Sequence, residues 1–207
     1  PEVRVNGVRV GGWDYGYMGF AADATDALNW AGENVVEVFA TTKWHGARWH
    51  PGGGIYREAR MVTSWANRVK PGTLKITPSQ PFNPSNRIEV RIAYEQLSGA
   101  PGERTLTIEN PRLWSVDDPF LYSVDIAGEE FRYGIRTIDW TANDGFHLNG
   151  RRLQIRGVNL HADLGPLGMA FDVDAARRQL AIMKDMGVNA IRTSHNPPAP
   201  QFLDLCD

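Results

Sequence analysis

Cysteine is almost missing from this chain: Cys206 is the only one in 207 residues. That excludes an internal disulfide framework and any cysteine-based metal site. Cys206 lies in an apolar helical register with Phe202, Leu203 and Leu205, so it is expected in a core, the usual place of a free cysteine, rather than as a nucleophile. A basic run is also absent. The 22 Lys and Arg are interspersed among 24 Asp and Glu, for a formal charge of -2, whereas a backbone-driven nucleic-acid binder shows a basic patch or stripe. No nucleic-acid partner is expected. No stretch approaches the run of about 18 apolar residues that spans a bilayer, and nothing near Pro1 has the order of a signal peptide. No membrane partner is expected either, and the compartment stays open between cytoplasm and periplasm or export in a bacterium.

What the chain does have is apolar content, 42%, enough for real cores. It also has seven tryptophans, with Trp13, Trp30, Trp44, Trp49 and Trp65 in the first third. Indoles stack on the apolar faces of sugars, and they also fill β cores. Both readings stand.

The chain opens inside a sheet. Val3-Arg4-Val5 and Val8-Arg9-Val10 alternate around Asn6-Gly7, a strong hairpin signal because both turn residues need positive φ. Asp23 to Trp30 reads as a short helical passage and Val35 to Phe39 as a strand. Residues 41 to 54 are polar, aromatic and glycine-rich, a poor core element and a candidate binding rim, and another strand is expected around Ile55 to Val62. From about Ser64 the pattern is all strand. Thr73 to Thr77, Arg87 to Ile92 and Arg104 to Ile108 alternate with period two, with turns at Pro78, Pro81, Pro84 and Ser98 to Gly102. Phe120 to Ile126 and Glu130 to Ile135 form a last hairpin around Gly128. Short strands at this spacing argue a sandwich.

After Trp140 the character changes. Phe146 to Leu153 carries a second Asn-Gly hairpin at Asn149-Gly150, and Gln154 to Asn159 continues as a strand. Asp172 can cap a helix from Val173 to Met186 that closes at Gly187, with Leu180, Met183 and Met186 on one side. Val188 to Ile191 is then an inner strand, and a helix starts near Pro200. Strand, helix, strand in so short a span is a β/α unit with parallel strands.

In such units ligands gather where the strands end. One strand ends at Asn159, His161 and Asp163, and the other at Arg192, Thr193, Ser194, His195 and Asn196. His161 and His195 are therefore expected on one face. Imidazoles can donate to or accept from ligand hydroxyls, and Arg192 can orient a carboxylate. Plain alternatives remain: His161 and His195 as satisfied loop histidines, Arg192 as a buried structural arginine, and His161, Asp163 and His195 as a metal triad. No His-Glu-x-x-His motif accompanies the last reading. No Gly-x-Ser-x-Gly surrounds Ser194.

Five blocks in order resemble glycoside hydrolase family 2: Val5-Asn6-Gly7 with Gly16-Tyr17 and Phe20, Pro51-Gly52-Gly53-Gly54-Ile55-Tyr56-Arg57-Glu58, Tyr133-Gly134-Ile135-Arg136-Thr137, Leu153 to His161, and Asn189 to Pro198. The resemblance implies a mainly β, multidomain chain. Residues 1–62 would be the latter part of a jelly-roll sugar-binding-like domain, 63–145 an immunoglobulin-like β-sandwich, and 146–207 the first β/α elements of a (β/α)8 TIM barrel. It implies a retaining β-glycosidase, with Ser194-His195-Asn196-Pro197-Pro198-Ala199-Pro200 nearer the β-galactosidases than the β-glucuronidases or β-mannosidases. His161, His195, Asn196 and Asp163 would bind substrate, and Arg192 would support the pocket of the nucleophile. Neither of the family's two glutamate blocks occurs in the chain, so no catalytic residue is expected here and a fragment truncated at both ends, inactive alone, is implied. No cofactor or metal ligand set is expected within the chain, although the full-length parent would hold Mg2+ through later barrel residues. The expected partners are a carbohydrate substrate and either the missing remainder of the barrel or a second copy of the chain. A non-catalytic carbohydrate-binding or structural module is the competing reading.

Overall fold

The computed structural model describes residues 1–42, 53–79 and 86–207. Most of the candidate rim, with Trp44, Trp49, His50, Pro51 and Gly52, and the turn prolines Pro81 and Pro84, lie outside the described residues. Among the described residues the architecture is mainly β, with five sheets of two or three strands. Two compact units share them. One joins Pro1–Arg60 to Arg156–Cys206, and the other holds Met61–Ile155.

The first unit opens with β1, Glu2–Val5, and β2, Val8–Gly12, paired antiparallel. Asn6 and Gly7 have φ of 51° and 79°, so the turn takes the primed form whose twist matches the strands. β3, Val36–Phe39, lies on the other side of β1. The Asn6 side chain does a second job, donating to the Ala27 carbonyl and to Asn34 Oδ1, both at 2.8 Å, and accepting from the Val35 amide at 2.9 Å. One residue thereby sets the turn and fixes where β3 begins. All four β3 residues are exposed, including Val36, Val38 and Phe39.

The strand expected around Ile55 to Val62 does not form: residues 53–62 have no strand geometry. Its backbone is spent singly. The Tyr56 carbonyl, for example, accepts from the Phe171 amide at 3.1 Å, a loop contact where a ladder would need a neighbouring strand.

In the second unit β4, Lys75–Pro78, β5, Arg87–Glu95, and β6, Pro101–Glu109, form an antiparallel sheet with β5 in the centre. Strict alternation along β5 puts Ile88, Val90 and Ile92 at 0% exposure. β7, Tyr122–Ile126, and β8, Glu129–Tyr133, make a hairpin on Ala127-Gly128, with φ of 55° and 81°. Val124, Ile126, Tyr133 and Ile135 join the three β5 side chains and Val69 in one core. Each such side chain contributes roughly 1.5–3 kcal/mol of burial. Gly102 stands opposite Tyr94 in the β5–β6 pair, and a Cβ at 102 would lie 2.2 Å from the tyrosine ring. Only glycine leaves that ring its place.

β9, Ile138–Thr141, β10, Gly145–Leu148, and β11, Arg151–Arg152, complete this unit in the order β11-β10-β9. β9 has no counterpart among the expected strands, because so short a run is recognisable only beside its partner β10. Asn149 and Gly150 again have positive φ, 52° and 74°. Asn149 repeats the Asn6 device, accepting from the Thr137 amide and donating to the Trp114 carbonyl, both at 3.0 Å.

The first unit resumes with β12, Gly157–Leu160, α1, Val173–Asp185, β13, Ala190–Thr193, and α2, Pro200–Cys206. β12 and β13 are parallel, with Leu160 beside Thr193 at their ends. Asp172 caps α1 by accepting from the amides of Asp174 and Ala175 at 3.0 and 2.8 Å. Gly187, at φ 81°, closes it in the conformation that costs glycine least. Ala176 is buried and Leu180 and Met183 half-buried, while Met186 is exposed. α2 buries Phe202 at 6%. The expectation of a core cysteine is overturned, because Cys206 is exposed. It is the last residue of a seven-residue helix, one full turn past the buried phenylalanine, where the cover has ended.

Candidate functional site

The site is made by the ends of two neighbouring strands. Residues in register at Leu160 and Thr193 are followed at once by His161 and by Ser194-His195-Asn196. The Ser194 amide donates to the Leu160 carbonyl at 2.8 Å, carrying the ladder one bond past β13, and the Asn196 amide returns to the Thr193 carbonyl at 2.8 Å. Ser194 is buried at 4% exposure, and the Ser194–His195 peptide is cis. Beyond it His195 is exposed and His161 half-buried. Their ring centroids lie 6.0 Å apart with planes at 73°. Two imidazoles edge-on at a strand end can donate to and accept from neighbouring hydroxyls of one ligand.

The other sequence candidates fall around this pair. Asn196 is half-buried and receives the Tyr15 hydroxyl on its Oδ1. Asp163 is half-buried: its Oδ1 accepts from the Gly165 amide at 2.7 Å, its own amide donates to the His161 carbonyl at 2.8 Å, and its carbonyl accepts from Gln179 Nε2 at 3.1 Å. Its carboxylate thus organises the loop after β12. Arg192 is exposed rather than buried, with Nη1 3.5 Å from Oδ1 of Asn159, its cross-strand neighbour. Among the described residues no group of three or more His, Cys, Asp or Glu side chains is placed to hold a metal ion, so His161, Asp163 and His195 do not form a triad.

Arg57 and Tyr15, neither of them a candidate from the sequence, reach the same turn, and Tyr56 packs under Arg57. Arg57 Nη2 donates to the Pro197 carbonyl at 2.7 Å, and its guanidinium carbon lies 5.1 Å from the centre of the Tyr56 ring. Tyr56 donates its hydroxyl to the Gly16 carbonyl at 2.8 Å. Burial pushes that hydroxyl above its ordinary value of 10, against the opposing pull of Arg57, so it stays a proton donor at neutral pH. Tyr15 lies beside Tyr17, ring centroids 5.7 Å apart. Tyr56, Arg57, Gly16 and Tyr17 sit in the blocks that carry the family resemblance, and those blocks were the available signal.

Comparison with known proteins bears on the same elements. Residues 141–207 match the family described as glycosyl hydrolases family 2, TIM barrel domain. A beta-galactosidase of Bacteroides ovatus is 36% identical across 100% of the chain, which covers 29% of that protein. A beta-glucuronidase of Bacteroides fragilis is 38% identical over 112 residues, 49% of this chain and 16% of that protein. The crystal structure of a beta-glycosidase from Bacteroides vulgatus superposes with a TM-score of 0.86 at 29% identity, covering 99% of this chain and 31% of that one. The chain thus spans less than a third of the length of each of these proteins. No helix among the described residues is long and apolar enough to cross a membrane. Residues 141–207, in which β12 and β13 pair in parallel, belong to the TIM barrel domain of glycosyl hydrolases family 2.

Proposed function

We propose that the chain is part of a retaining β-glycosidase that hydrolyses terminal β-D-galactosides. The observation that carries this is the edge-on pair His161 and His195 at the ends of adjacent parallel strands, within the segment matched to the family's barrel domain. In retaining hydrolysis one carboxylic acid protonates the leaving oxygen while a carboxylate about 5–5.5 Å away attacks the anomeric carbon, and water then releases the sugar. Asp163, engaged in its own loop, cannot fill both roles. Two glutamates outside the chain supply the acid and the nucleophile. His161, His195, Asn196 and Asp163 hold the sugar hydroxyls, and Arg192 supports the nucleophile's pocket. The 207-residue chain alone is inactive. No cofactor binds within it, and any Mg2+ of the whole protein is held by residues elsewhere. The remainder of the barrel, or a second copy, covers the open edges of β12 and β13.

In this reading residues 1–62 are the latter part of a jelly roll, 63–145 an immunoglobulin-like sandwich and 146–207 the start of the barrel. The shared core of the β4-β5-β6 and β7-β8 sheets supports the sandwich assignment. A β-glucuronidase is the second reading, favoured by the Bacteroides fragilis relative.

The test is hydrolysis of nitrophenyl β-D-galactoside, glucuronide and mannoside by the full polypeptide that carries this chain, with the anomer released followed by NMR. Galactoside cleavage with the β-anomer formed first is expected. Preference for glucuronide would install the second reading, and no turnover of any of the three would leave a carbohydrate-binding or structural module.

A further inference from the structure

We infer that Arg57 and Tyr15 are positioning residues for the turn His195-Asn196-Pro197, holding it in the geometry in which it meets the sugar; this rests on the glycosidase reading above. The turn needs outside support because Pro197, Pro198 and Pro200 have no amide hydrogen to donate. Its backbone is tied at the near end, where the Ser194 and Asn196 amides bond back to Leu160 and Thr193. Past Asn196 the chain presents carbonyls, and the first of them, on Pro197, is taken by the Arg57 guanidinium at 2.7 Å. A hydrogen bond from a charged donor is among the stronger ones available to a carbonyl.

Arg57 is itself held. Its guanidinium lies over the Tyr56 ring, and Tyr56 is fixed at both ends, by its hydroxyl on the Gly16 carbonyl and by its own carbonyl under the Phe171 amide. Gly16 follows Tyr15, whose hydroxyl meets Asn196 Oδ1. The contacts therefore close on themselves, from Asn196 through Tyr15, Gly16, Tyr56 and Arg57 to Pro197. With Oδ1 engaged by Tyr15, the amide nitrogen of Asn196 is the end left to meet a sugar hydroxyl. Neither Arg57 nor Tyr15 needs to touch the reacting atoms to matter, since misplacing a binding group by about 1 Å can cost on the order of a hundredfold in rate.

The experiment uses the full polypeptide and four variants, Arg57→Met, which keeps the stem and removes the donor, Arg57→Lys, which keeps a donor, Tyr15→Phe, and the double variant of Arg57→Met with Tyr15→Phe. Hydrogen exchange is read at the amides of Ser194, His195 and Asn196, with the amides of α1 as the internal control for folding. Loss of one charge-assisted bond predicts exchange about tenfold faster at the turn in Arg57→Met, with α1 unchanged, and partial rescue in Arg57→Lys. Galactoside kcat/KM should fall about tenfold in Arg57→Met, Tyr15→Phe should act mainly on KM, and the double variant should lose less than the product of the singles. Exchange and kcat/KM within about twofold of wild type in Arg57→Met would overturn the inference. If Arg57→Met also unfolds α1, Tyr15→Phe and Arg57→Lys decide it by the same exchange readout. Absence of glycosidase turnover in the wild type would sink the functional reading alone, because turn exchange still reports the positioning.

Discussion

Replacing Asp172 by alanine is expected to destabilise the unit built from Pro1–Arg60 and Arg156–Cys206 by about 1 kcal/mol, within a range of roughly 0.5–2 kcal/mol. The magnitude follows from what the carboxylate does. A helix leaves four amides without intrahelical partners at its start, and Asp172 Oδ1 accepts two of them, from Asp174 at 3.0 Å and Ala175 at 2.8 Å. Its negative charge also opposes the positive end of α1, a contribution of about 0.3–1 kcal/mol on an exposed surface. Asp172→Asn separates the two effects, keeping an acceptor and removing the charge. The expected order of stability is wild type, then Asp172→Asn, then Asp172→Ala. Urea unfolding followed by circular dichroism gives the order, and hydrogen exchange at Asp174 and Ala175 locates the loss at the first turn. If Asp172→Ala matches wild type within about 0.3 kcal/mol, the hydrogen-bond account of the cap is refuted. If Asp172→Asn falls as far as Asp172→Ala, the charge alone carries the effect.

Two further expectations concern the other unit. Ile92, at 0% exposure in the centre of β5, should lose about 0.5–1.5 kcal/mol as Ile92→Val and about 2–5 kcal/mol as Ile92→Ala; equal unfolding midpoints for both would show that the core collapses onto the cavity. The bidentate pair of Arg68 with Glu129, 2.8 Å on each limb, holds the Glu129 carboxyl below its ordinary value of 4.5, through the hydrogen bond first and against desolvation. A depressed carboxylate contributes stability that is complete above its unfolded value and is lost as pH falls through the folded one. The gap in urea midpoint between wild type and Glu129→Gln should therefore be constant at neutral pH and shrink below about pH 4.5, and a gap independent of pH would refute the assignment.

How much could be read from the sequence depended on how far apart the interacting residues lie. Asn6-Gly7 and Asn149-Gly150 were legible because positive φ is a local demand that few residues meet. The strand, helix and strand from Gly157 to Thr193 were legible for a similar reason, since Asp172 and Gly187 mark both helix ends. The meeting of His161 and His195 followed from the parallel pairing. β9 escaped notice and a strand was expected at Ile55 to Val62 where none forms, because strand formation depends on a partner the local pattern does not name. Arg57 and Tyr15 were invisible as site residues for a stronger version of that reason: their contacts at Pro197 and Asn196 bridge 140 and 181 positions. Cys206 failed on a finer point, because an apolar register says which side a residue faces and not where the covering surface stops.

The division of one unit between Pro1–Arg60 and Arg156–Cys206 sets a timetable for the chain on the ribosome. Met61–Ile155 has a core of its own near neighbours and can complete its folding as it emerges. The first sixty residues cannot, because their partners are translated roughly 5–20 s later, at about 5–20 residues per second. During that interval Tyr15, Tyr56 and Arg57 are without Asn196, Phe171 and Pro197, the partners they hold in the folded unit. A slow stretch of codons before Arg156 would lengthen that wait.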